Sequence, residues 1–405
     1  MKVAVIFHRL GPYHVARLEA ASRSGGIVGI ELGSHTADYD WAKVSAPPSF
    51  ERITLFAESD SHSRPFGELQ LRMAQALSQI KPDVVAIPGW AEKGALVALR
   101  WCLDNAVPAI LMSESTANDE PRVSWKEFVK RRIIALCSSA LVGGKLHKDY
   151  LSDLGMPREN TFTGYDAVDN KYFARSVSEV RARKSEVRKE HGLPDNYFLA
   201  SARFIPKKNL SLLIRAYAGY RRRHVEARKA EVEVWSLVIL GNGPLKSDLR
   251  SLISDLGLQD SVRLPGFKQY DELPVYYGMA NAFVHASQVE QWGLVVNEAI
   301  ASELPVIVSN RCGCAPELVQ DGASGFLFDP NNEEELASHL LTMANLSAKD
   351  RAAMGAVSQE IAKQFDVTIF GEGIRNAAKC ALAQGTRKLS LFDRMLLWAT
   401  LRFRQ

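Results

Sequence analysis

Short apolar runs rich in β-branched residues recur along the chain, and longer segments with apolar residues at helical spacing lie between them. In the first part of the chain this pattern predicts strands at 3–7, 27–31, 53–56, 84–87, 109–112 and 140–143. The intervening segments predict helices at 13–22, 67–80, 91–103 and 125–136. Strands that alternate with helices are typical of βαβ units, in which helices cover both faces of a parallel sheet.

The alternation is interrupted at 176–191, which is rich in Arg, Lys and Glu, and then starts again. The second series is predicted at 197–202, 210–222, 236–240, 245–256, 262–264, 282–286, 295–302, 306–309 and 331–346. We therefore predict an α/β fold with two doubly wound domains, residues 1–170 and 171–380, followed by a terminal segment, 381–405. Because ligands of doubly wound sheets bind beyond the carboxyl ends of the strands, we expect a site in the cleft between the two facing domains.

Charge is distributed unevenly along the chain. Residues 381–405 contain five Lys or Arg and one Asp, which accounts for the whole net charge of +4. The two larger segments are close to neutral, so no basic face of the kind that binds nucleic acid is predicted. In the terminal segment, Ser390 and Asp393 form a capping-box pattern ahead of an apolar run, which predicts a basic amphipathic helix.

Composition excludes several classes of protein. Lys and Arg number 50 against 46 Asp and Glu, which is not the balance of a disordered acidic or basic chain. No apolar stretch approaches the roughly 18–20 residues of a membrane-spanning helix. The first apolar run, 3–7, fits a strand rather than a signal peptide. Five cysteines argue against a disulfide scaffold, so we expect a globular protein of a reducing, cytoplasmic compartment.

The strongest local signal follows the fourth strand predicted in the second domain. A loop containing Glu290 and Gly293 leads into a helix that we expect to begin at about Leu294. A glycine at this point lets the amides of Gly293, Leu294 and Val295 approach a phosphate closely. Glu298 is expected in the first helical turn, facing the ligand. The alternative is that this glutamate only complements the helix dipole.

Two cations follow the first strand of the same domain. Arg203 and Lys208 lie between a strand exit and a helix entrance, on the side of a parallel sheet where ligands bind. The guanidinium group is a bidentate clamp for phosphate, and the ammonium group is a compact counter-charge. The alternative is that both are solvated surface cations.

Together these segments resemble the retaining GT-B glycosyltransferases of family GT4. The resemblance covers about 195 to 330 and rests on Arg203, Lys208, Gly241-Asn-Gly243, Pro316-Glu317 and the pair formed by Glu290 and Glu298. The first domain is similar to the family more loosely, through its strand order and Gly11 after the first strand. The resemblance therefore implies a GT-B fold of two Rossmann-like domains.

The resemblance also implies an activity. The second domain would bind a nucleotide diphosphate sugar, UDP- or GDP-linked, and the enzyme would transfer the sugar with retention to a hydroxyl of a saccharide or glycolipid. Arg203, Lys208 and the amides around Gly293 would neutralise the diphosphate, Glu298 would accept the ribose hydroxyls and Glu290 would hold the sugar. Fixed cations at the leaving phosphate stabilise the transition state more than the ground state, so no metal cofactor is expected. Such an enzyme would serve surface polysaccharide or glycoconjugate synthesis.

The first domain departs from the family pattern after its fifth strand. Many members have a histidine there, whereas this chain has Ser113-Glu114-Ser115. Glu114 is expected to contact the donor sugar or to act as a general base for the acceptor hydroxyl. The alternative is a loop glutamate that faces solvent.

Three further residues of the first domain are acceptor candidates. His8 and His14 flank Gly11 in the first loop, where the resemblance places phosphate and acceptor contacts. Either histidine can instead pack or cap a helix. Trp90 follows the fourth strand and is the third candidate, unless its ring packs in the core.

Several alternatives stay open. A sugar-nucleotide 2-epimerase of the same fold would bind the donor without an acceptor, and a non-catalytic subunit would bind it without chemistry. The resemblance implies that the terminal helix packs on the first domain. Peripheral contact with the anionic inner face of a membrane, through Arg394, Arg402, Arg404 and 130–132, is the alternative. Asp38-Tyr-Asp40 and Cys312-Gly-Cys314 lack the neighbouring ligands that would predict a metal site.

Overall fold

The computed structural model describes residues 1–34, 41–42, 44, 48–57, 65–226 and 234–403. The chain divides into two compact units, Met1–Val168 with Asp366–Gln405, and Asp169–Phe365. Asp38, Asp40 and Arg404, which the sequence raised as candidates, lie outside the described residues.

In the described residues, the first unit contains a seven-stranded parallel sheet. Its strands are β1 (Val3–Phe7), β2 (Ile27–Gly33), β3 (Glu51–Phe56), β4 (Val84–Pro88), β5 (Ala109–Ser113), β6 (Ser139–Val142) and β7 (Thr161–Thr163), in the order β3-β2-β1-β4-β5-β6-β7. The helices between them are α1 (Pro12–Ser22), α2 (Phe66–Ile80), α3 (Lys93–Asp104), α4 (Ser124–Ile134) and α5 (Lys145–Asp153). Ala4 and Ile6 belong to one hydrophobic core and Val3 and Val5 to another, so both faces of the sheet are covered.

The second unit contains a six-stranded parallel sheet among its described residues. It begins with α6 (Asn170–Ala182) and α7 (Lys184–His191), and then alternates: β8 (Tyr197–Ser201), α8 (Leu210–Glu226), β9 (Ser236–Leu240), α9 (Lys246–Asp255), β10 (Val262–Gly266), α10 (Leu273–Met279), β11 (Ala282–His285), α11 (Leu294–Ala301), β12 (Val306–Ser309), α12 (Ala315–Leu318), β13 (Gly325–Phe328), α13 (Glu333–Asn345) and α14 (Ala348–Ala362). The strand order is β10-β9-β8-β11-β12-β13. The prediction of two doubly wound α/β units is confirmed.

The chain then returns to the first unit through α15 (Val367–Gln384). This helix packs on α1, where Gly371 lies so close that an added Cβ would be 3.2 Å from Cα of Ala21. The sequence pattern placed this segment in the second domain, up to residue 380. Helical periodicity identifies an apolar face but does not say which sheet that face covers, which is why the pattern assigned the helix to the preceding domain.

The last helix, α16 (Leu391–Phe403), also belongs to the first unit. Its start has the reciprocal cap that the sequence indicated, since the Ser390 hydroxyl accepts from the amide of Asp393 at 3.1 Å and the Ser390 amide donates to the Asp393 carboxylate at 3.3 Å. Leu397 is buried in the core, and Arg132 Nε of α4 donates to Oδ1 of Asp393 at 2.9 Å. The helix therefore packs against α3 and α4.

Candidate functional site

The candidate residues of the second unit lie at the carboxyl edge of its sheet. Arg203 and Lys208 follow β8, and Glu290 follows β11, the strand paired in parallel with β8. This pair of strands is the point where the strand order changes direction, and ligands of doubly wound sheets bind at such points. The amide of Gln288 donates to the carbonyl of Lys207 at 2.9 Å, which fastens the two loops together.

Glu290 is the centre of the best-defined polar cluster at this edge. Its Oε2 atom forms an ion pair with Nζ of Lys208, and each of the two side chains is only 13% exposed. His285 Nε2 lies 3.1 Å from the same oxygen, and the Ser287 hydroxyl donates to it at 3.2 Å. A carboxylate only accepts, so the Nε2 atom of His285 carries the proton in this contact.

The ionisation states of this cluster follow from its surroundings. Burial alone would raise the pKa of the Glu290 carboxyl, but the hydrogen bond from His285 and the charge of Lys208 hold it well below its ordinary value. Burial lowers the pKa of His285 despite its bond to Glu290. At neutral pH the Glu290 side chain is thus a carboxylate and the His285 ring is a neutral imidazole.

The loop after Glu290 ends at Gly293, which caps the start of α11 with φ of 111° and ψ of 64°. This left-handed conformation favours glycine, and a Cβ here would lie 3.4 Å from Cγ of Glu290. The loop is pinned from the other side, because the amide of Gly313 donates to the carbonyl of Glu290 at 2.9 Å. The helix begins at Leu294, as predicted. The amides of Leu294 and Val295 are therefore the first amides of the helix, and they lie beside Glu290.

The prediction that Glu298 lies in the first turn of this helix is wrong. The helix begins at Leu294, so Glu298 is its fifth residue, and no acidic residue occupies its first turn. The side chain is buried, and the Tyr277 hydroxyl donates to its Oε2 atom at 2.6 Å. Glu298 is therefore oriented by α10 and does not serve as a surface charge that complements the dipole.

The segment that carries Arg203 is held by a glycine turn after β9. The amide of Phe204 donates to the carbonyl of Asn242 at 2.8 Å. A Cβ on Gly241 would lie 1.9 Å from the carbonyl oxygen of Ala202, and one on Gly243 would lie 2.7 Å from that of Phe204. The glycines of this turn are thus needed for close backbone packing, which positions the half-buried Arg203 next to the sheet edge.

In the first unit, Gly11 and His14 form a helix cap. The amide of Gly11 donates to Nδ1 of His14 at 3.2 Å, and the His14 ring packs on Phe7 with centroids 4.4 Å apart. Burial, followed by the charges of Arg17 and Arg9, lowers the pKa of His14 to about 3. His14 is therefore neutral and its Nδ1 lone pair is used, which suits a cap better than an acceptor base.

The other candidates of the first unit differ in accessibility. Glu114 directly follows β5 and is half-buried. The pKa of Tyr165 is raised first by burial of Tyr165 itself and then by the negative charge of Glu114. The backbone carbonyl of His8 accepts from the amides of Leu32 and Gly33, both at 3.1 Å. Trp90 is 5% exposed and packs in the core beside Tyr150, which leaves little of its ring for an acceptor.

Some residues of the site were not singled out from the sequence. His285 and Ser287 contact Glu290, and Tyr277 orients Glu298. Among the described residues, no group of three His, Cys, Asp or Glu could hold a metal ion. Cys312 and Cys314 are buried free thiols.

The second unit is similar to known proteins. The family described as "Glycosyl transferases group 1" matches residues 183–360, which include all the candidate residues of the second unit. A GDP-mannose-dependent alpha-(1-6)-phosphatidylinositol monomannoside mannosyltransferase of Mycobacterium tuberculosis is 34% identical over 188 residues, covering 44% of this chain and 46% of the relative. A sulfoquinovosyl transferase of Arabidopsis thaliana is 27% identical over 327 residues, covering 76% of this chain and 58% of the relative.

The fold has close counterparts among solved structures. Anabaena HepE in complex with UDP-glucose is 19% identical, covers 93% of this chain and 98% of its own, and has a TM-score of 0.72. The chain spans about half the length of the first curated relatives it matches. The two curated relatives are both named as transferases.

Proposed function

We propose that this chain is a retaining glycosyltransferase, because residues 183–360 match the family model described as "Glycosyl transferases group 1". It transfers a sugar from a nucleotide diphosphate sugar to a hydroxyl of a saccharide or glycolipid. The second unit binds the donor, and the reaction needs no metal ion.

The pair formed by Lys208 and Glu290 is the observation that carries this proposal. A mostly buried cation and a mostly buried carboxylate form an ion pair beside the first amides of α11. A diphosphate bound at these amides attracts Nζ of Lys208. The carboxylate of Glu290 is then available to accept hydrogen bonds from hydroxyls of the transferred sugar. Arg203 supplies the second cation for the phosphates, and Glu298 accepts the ribose hydroxyls.

The chemistry assigned to these groups is a substitution at the anomeric carbon. The bond from that carbon to the phosphate oxygen breaks, and a bond to the acceptor oxygen forms on the same face of the sugar. The acceptor proton passes to the leaving phosphate. Negative charge grows on the phosphate as the bond breaks, so Lys208 and Arg203 stabilise the transition state more than the bound donor.

The donor and acceptor classes are supported by the relatives. The mycobacterial relative is named as GDP-mannose-dependent, and the solved HepE structure contains UDP-glucose. The name of the mycobacterial relative also specifies a phosphatidylinositol monomannoside acceptor. We therefore propose a UDP- or GDP-linked sugar as the donor and a glycolipid or saccharide as the acceptor.

A thermal-unfolding panel tests the donor assignment. UDP-glucose, GDP-mannose, ADP-glucose and dTDP-glucose are added separately, and a donor at about 100 times its Kd stabilises the native state by about 2.7 kcal/mol. The nucleotide that raises the Tm is then used with a radiolabelled sugar and a glycolipid extract. Transfer of label to lipid supports the proposal. Absence of any Tm shift across the panel contradicts it, and rearrangement of the donor alone identifies an epimerase.

A further inference from the structure

Large apolar side chains are exposed together on two helices of the first unit. Trp125 of α4 is 65% exposed, and Leu391 and Met395 of α16 are 76% and 56% exposed. Phe128 and Phe392 are about half-exposed. We call these five side chains the α4/α16 patch. An exposed apolar surface of this kind marks an interaction site, since single exposed hydrophobic residues are common but clusters are not.

Ring and ion-pair contacts join the two helices into one surface. The Phe128 and Phe392 rings meet edge to face with centroids 6.1 Å apart, and the Arg132 guanidinium lies 5.5 Å from the Phe392 centroid. Trp125, Phe128 and Arg132 are three and four residues apart, so they share one face of α4. The opposite side of α16 is anchored by Leu397, which is buried in the core. The patch is therefore held on a packed framework.

The charges around the patch are mainly basic. Arg131, Lys388 and Arg394 are exposed, and none of them has an ion-pair partner among the described residues. The nearby acids are already engaged. Asp393 is buried against Arg132, Glu127 accepts from Lys130 at 3.0 Å, and Glu120 lies 3.7 Å from Lys130 and 3.9 Å from Lys126.

We propose that the α4/α16 patch docks the enzyme on a membrane surface that contains anionic lipid. The apolar side chains enter the interfacial layer, and the unpaired cations contact the lipid phosphates. A second copy of the chain fits the patch less well, because face-to-face pairing would bring Arg131, Lys388 and Arg394 against like charges. No helix among the described residues is long and apolar enough to cross a membrane, so this contact is peripheral.

Vesicle sedimentation of the full chain tests the proposal without any substrate. Binding to vesicles of phosphatidylcholine with phosphatidylglycerol is expected to be at least roughly tenfold stronger than binding to phosphatidylcholine alone. The difference is expected to shrink at high salt, which screens the cations. Because neither donor nor acceptor is present, failure here leaves the proposed transfer reaction untouched.

Two double variants separate the apolar and the basic contributions. Leu391→Ser with Met395→Ser, and Arg131→Glu with Arg394→Glu, are each expected to reduce binding to anionic vesicles about tenfold or more. Leu71→Ser is the matched control, since Leu71 is 58% exposed on α2, outside the patch. All these side chains are exposed, so thermal unfolding should be little changed and serves as the folding check.

Two results would overturn the proposal. The first is vesicle binding that is equal for neutral and anionic lipid and unaffected by either double variant. The second is no vesicle binding together with a dimer, seen by light scattering, that the Leu391→Ser and Met395→Ser variant dissociates. That second result would assign the patch to contact between two copies.

Discussion

Lys208 and Glu290 come from loops after two neighbouring strands, and they meet in an ion pair at the carboxyl edge of the sheet. His285 donates to the same carboxylate oxygen at 3.1 Å. The carboxylate therefore keeps the hydrogen bonds from His285 and Ser287 when the ammonium group of Lys208 turns to a phosphate. This arrangement can hold a cation at the proposed donor site while the buried carboxylate stays hydrogen-bonded.

Replacing Lys208 by alanine tests the role of this cation. We expect the Lys208→Ala variant to lower kcat/KM for the donor about 100-fold or more, because the cation acts on charge that develops in the transition state. Steady-state kinetics with the donor found by thermal unfolding would measure the loss.

Lys207→Ala is the matched control for that experiment. Lys207 is the exposed neighbour in the same turn, Pro206–Lys208, and its removal changes net charge by the same amount. Its kcat/KM is expected to stay within about threefold of wild type, as is usual for an exposed charge. Equal losses of kcat/KM in the two variants would mean that Lys208 acts only through the overall electrostatic potential of the protein surface.

Much of the fold was predictable because the apolar runs are strong local signals. Strand β1 was predicted with its observed bounds, since five consecutive apolar residues are buried on both faces of the sheet. Strands β7 and β13 were missed, because β7 has three residues and β13 begins with glycine. Short strands of this kind form through pairing with a neighbour, and no local pattern records that pairing.

The site was predictable only in part. Lys208, Glu290 and Gly293 are brought together as expected, because each follows a strand of one parallel sheet. The partners that orient the glutamates were not predicted, since Tyr277 reaches Glu298 from a different helix. Side-chain pairing across elements depends on how helices lie on the sheet, and residue spacing within one segment does not report it.

Glu298→Gln tests the ribose assignment. The amide has the shape of the carboxylate but forms weaker hydrogen bonds to hydroxyl donors, so we expect the donor KM to rise about tenfold. The contact is present in both ground state and transition state, so kcat should change little. Tyr277→Phe removes the hydrogen bond that orients Glu298 and should give a smaller change in the same direction. An effect confined to the acceptor KM would contradict the assignment.

The cap made by His14 predicts a pH-dependent stability of the first unit. Its pKa is lowered from 6.5 to about 3, so between these values the unfolded chain binds a proton that the folded chain does not. Stability from this residue is therefore present above the unfolded pKa and is lost as pH falls. His14→Ala should cost about 1 kcal/mol near pH 7, as loss of a helix cap does, and this cost should shrink toward about pH 5.

Thermal unfolding across that pH range would measure the effect, with His191→Ala as the control. His191 is exposed near the end of α7 and caps no helix start. The His191→Ala variant also loses one imidazole, so it controls for removal of a histidine that caps no helix start. A difference in Tm between wild type and His14→Ala that does not change with pH would show that the folded protein does not keep the His14 imidazole neutral.

Gly293→Ala tests whether the amino end of α11 binds the donor. The residue has a φ of 111°, so alanine is strained there, and its Cβ would lie 3.4 Å from Cγ of Glu290. Relief of the strain moves the amides of the helix start or the Glu290 side chain, and we expect the donor Kd to rise about tenfold, a loss of about 1.4 kcal/mol.

Gly322→Ala is the matched control, because Gly322 has a φ of 74° and nothing lies within 4 Å of an added Cβ. Both variants should lose about 1 kcal/mol of stability from the left-handed backbone. Only Gly293→Ala should weaken binding of the donor, as measured by isothermal titration calorimetry. Similar donor affinities for the two variants would show that the phosphates bind away from this helix.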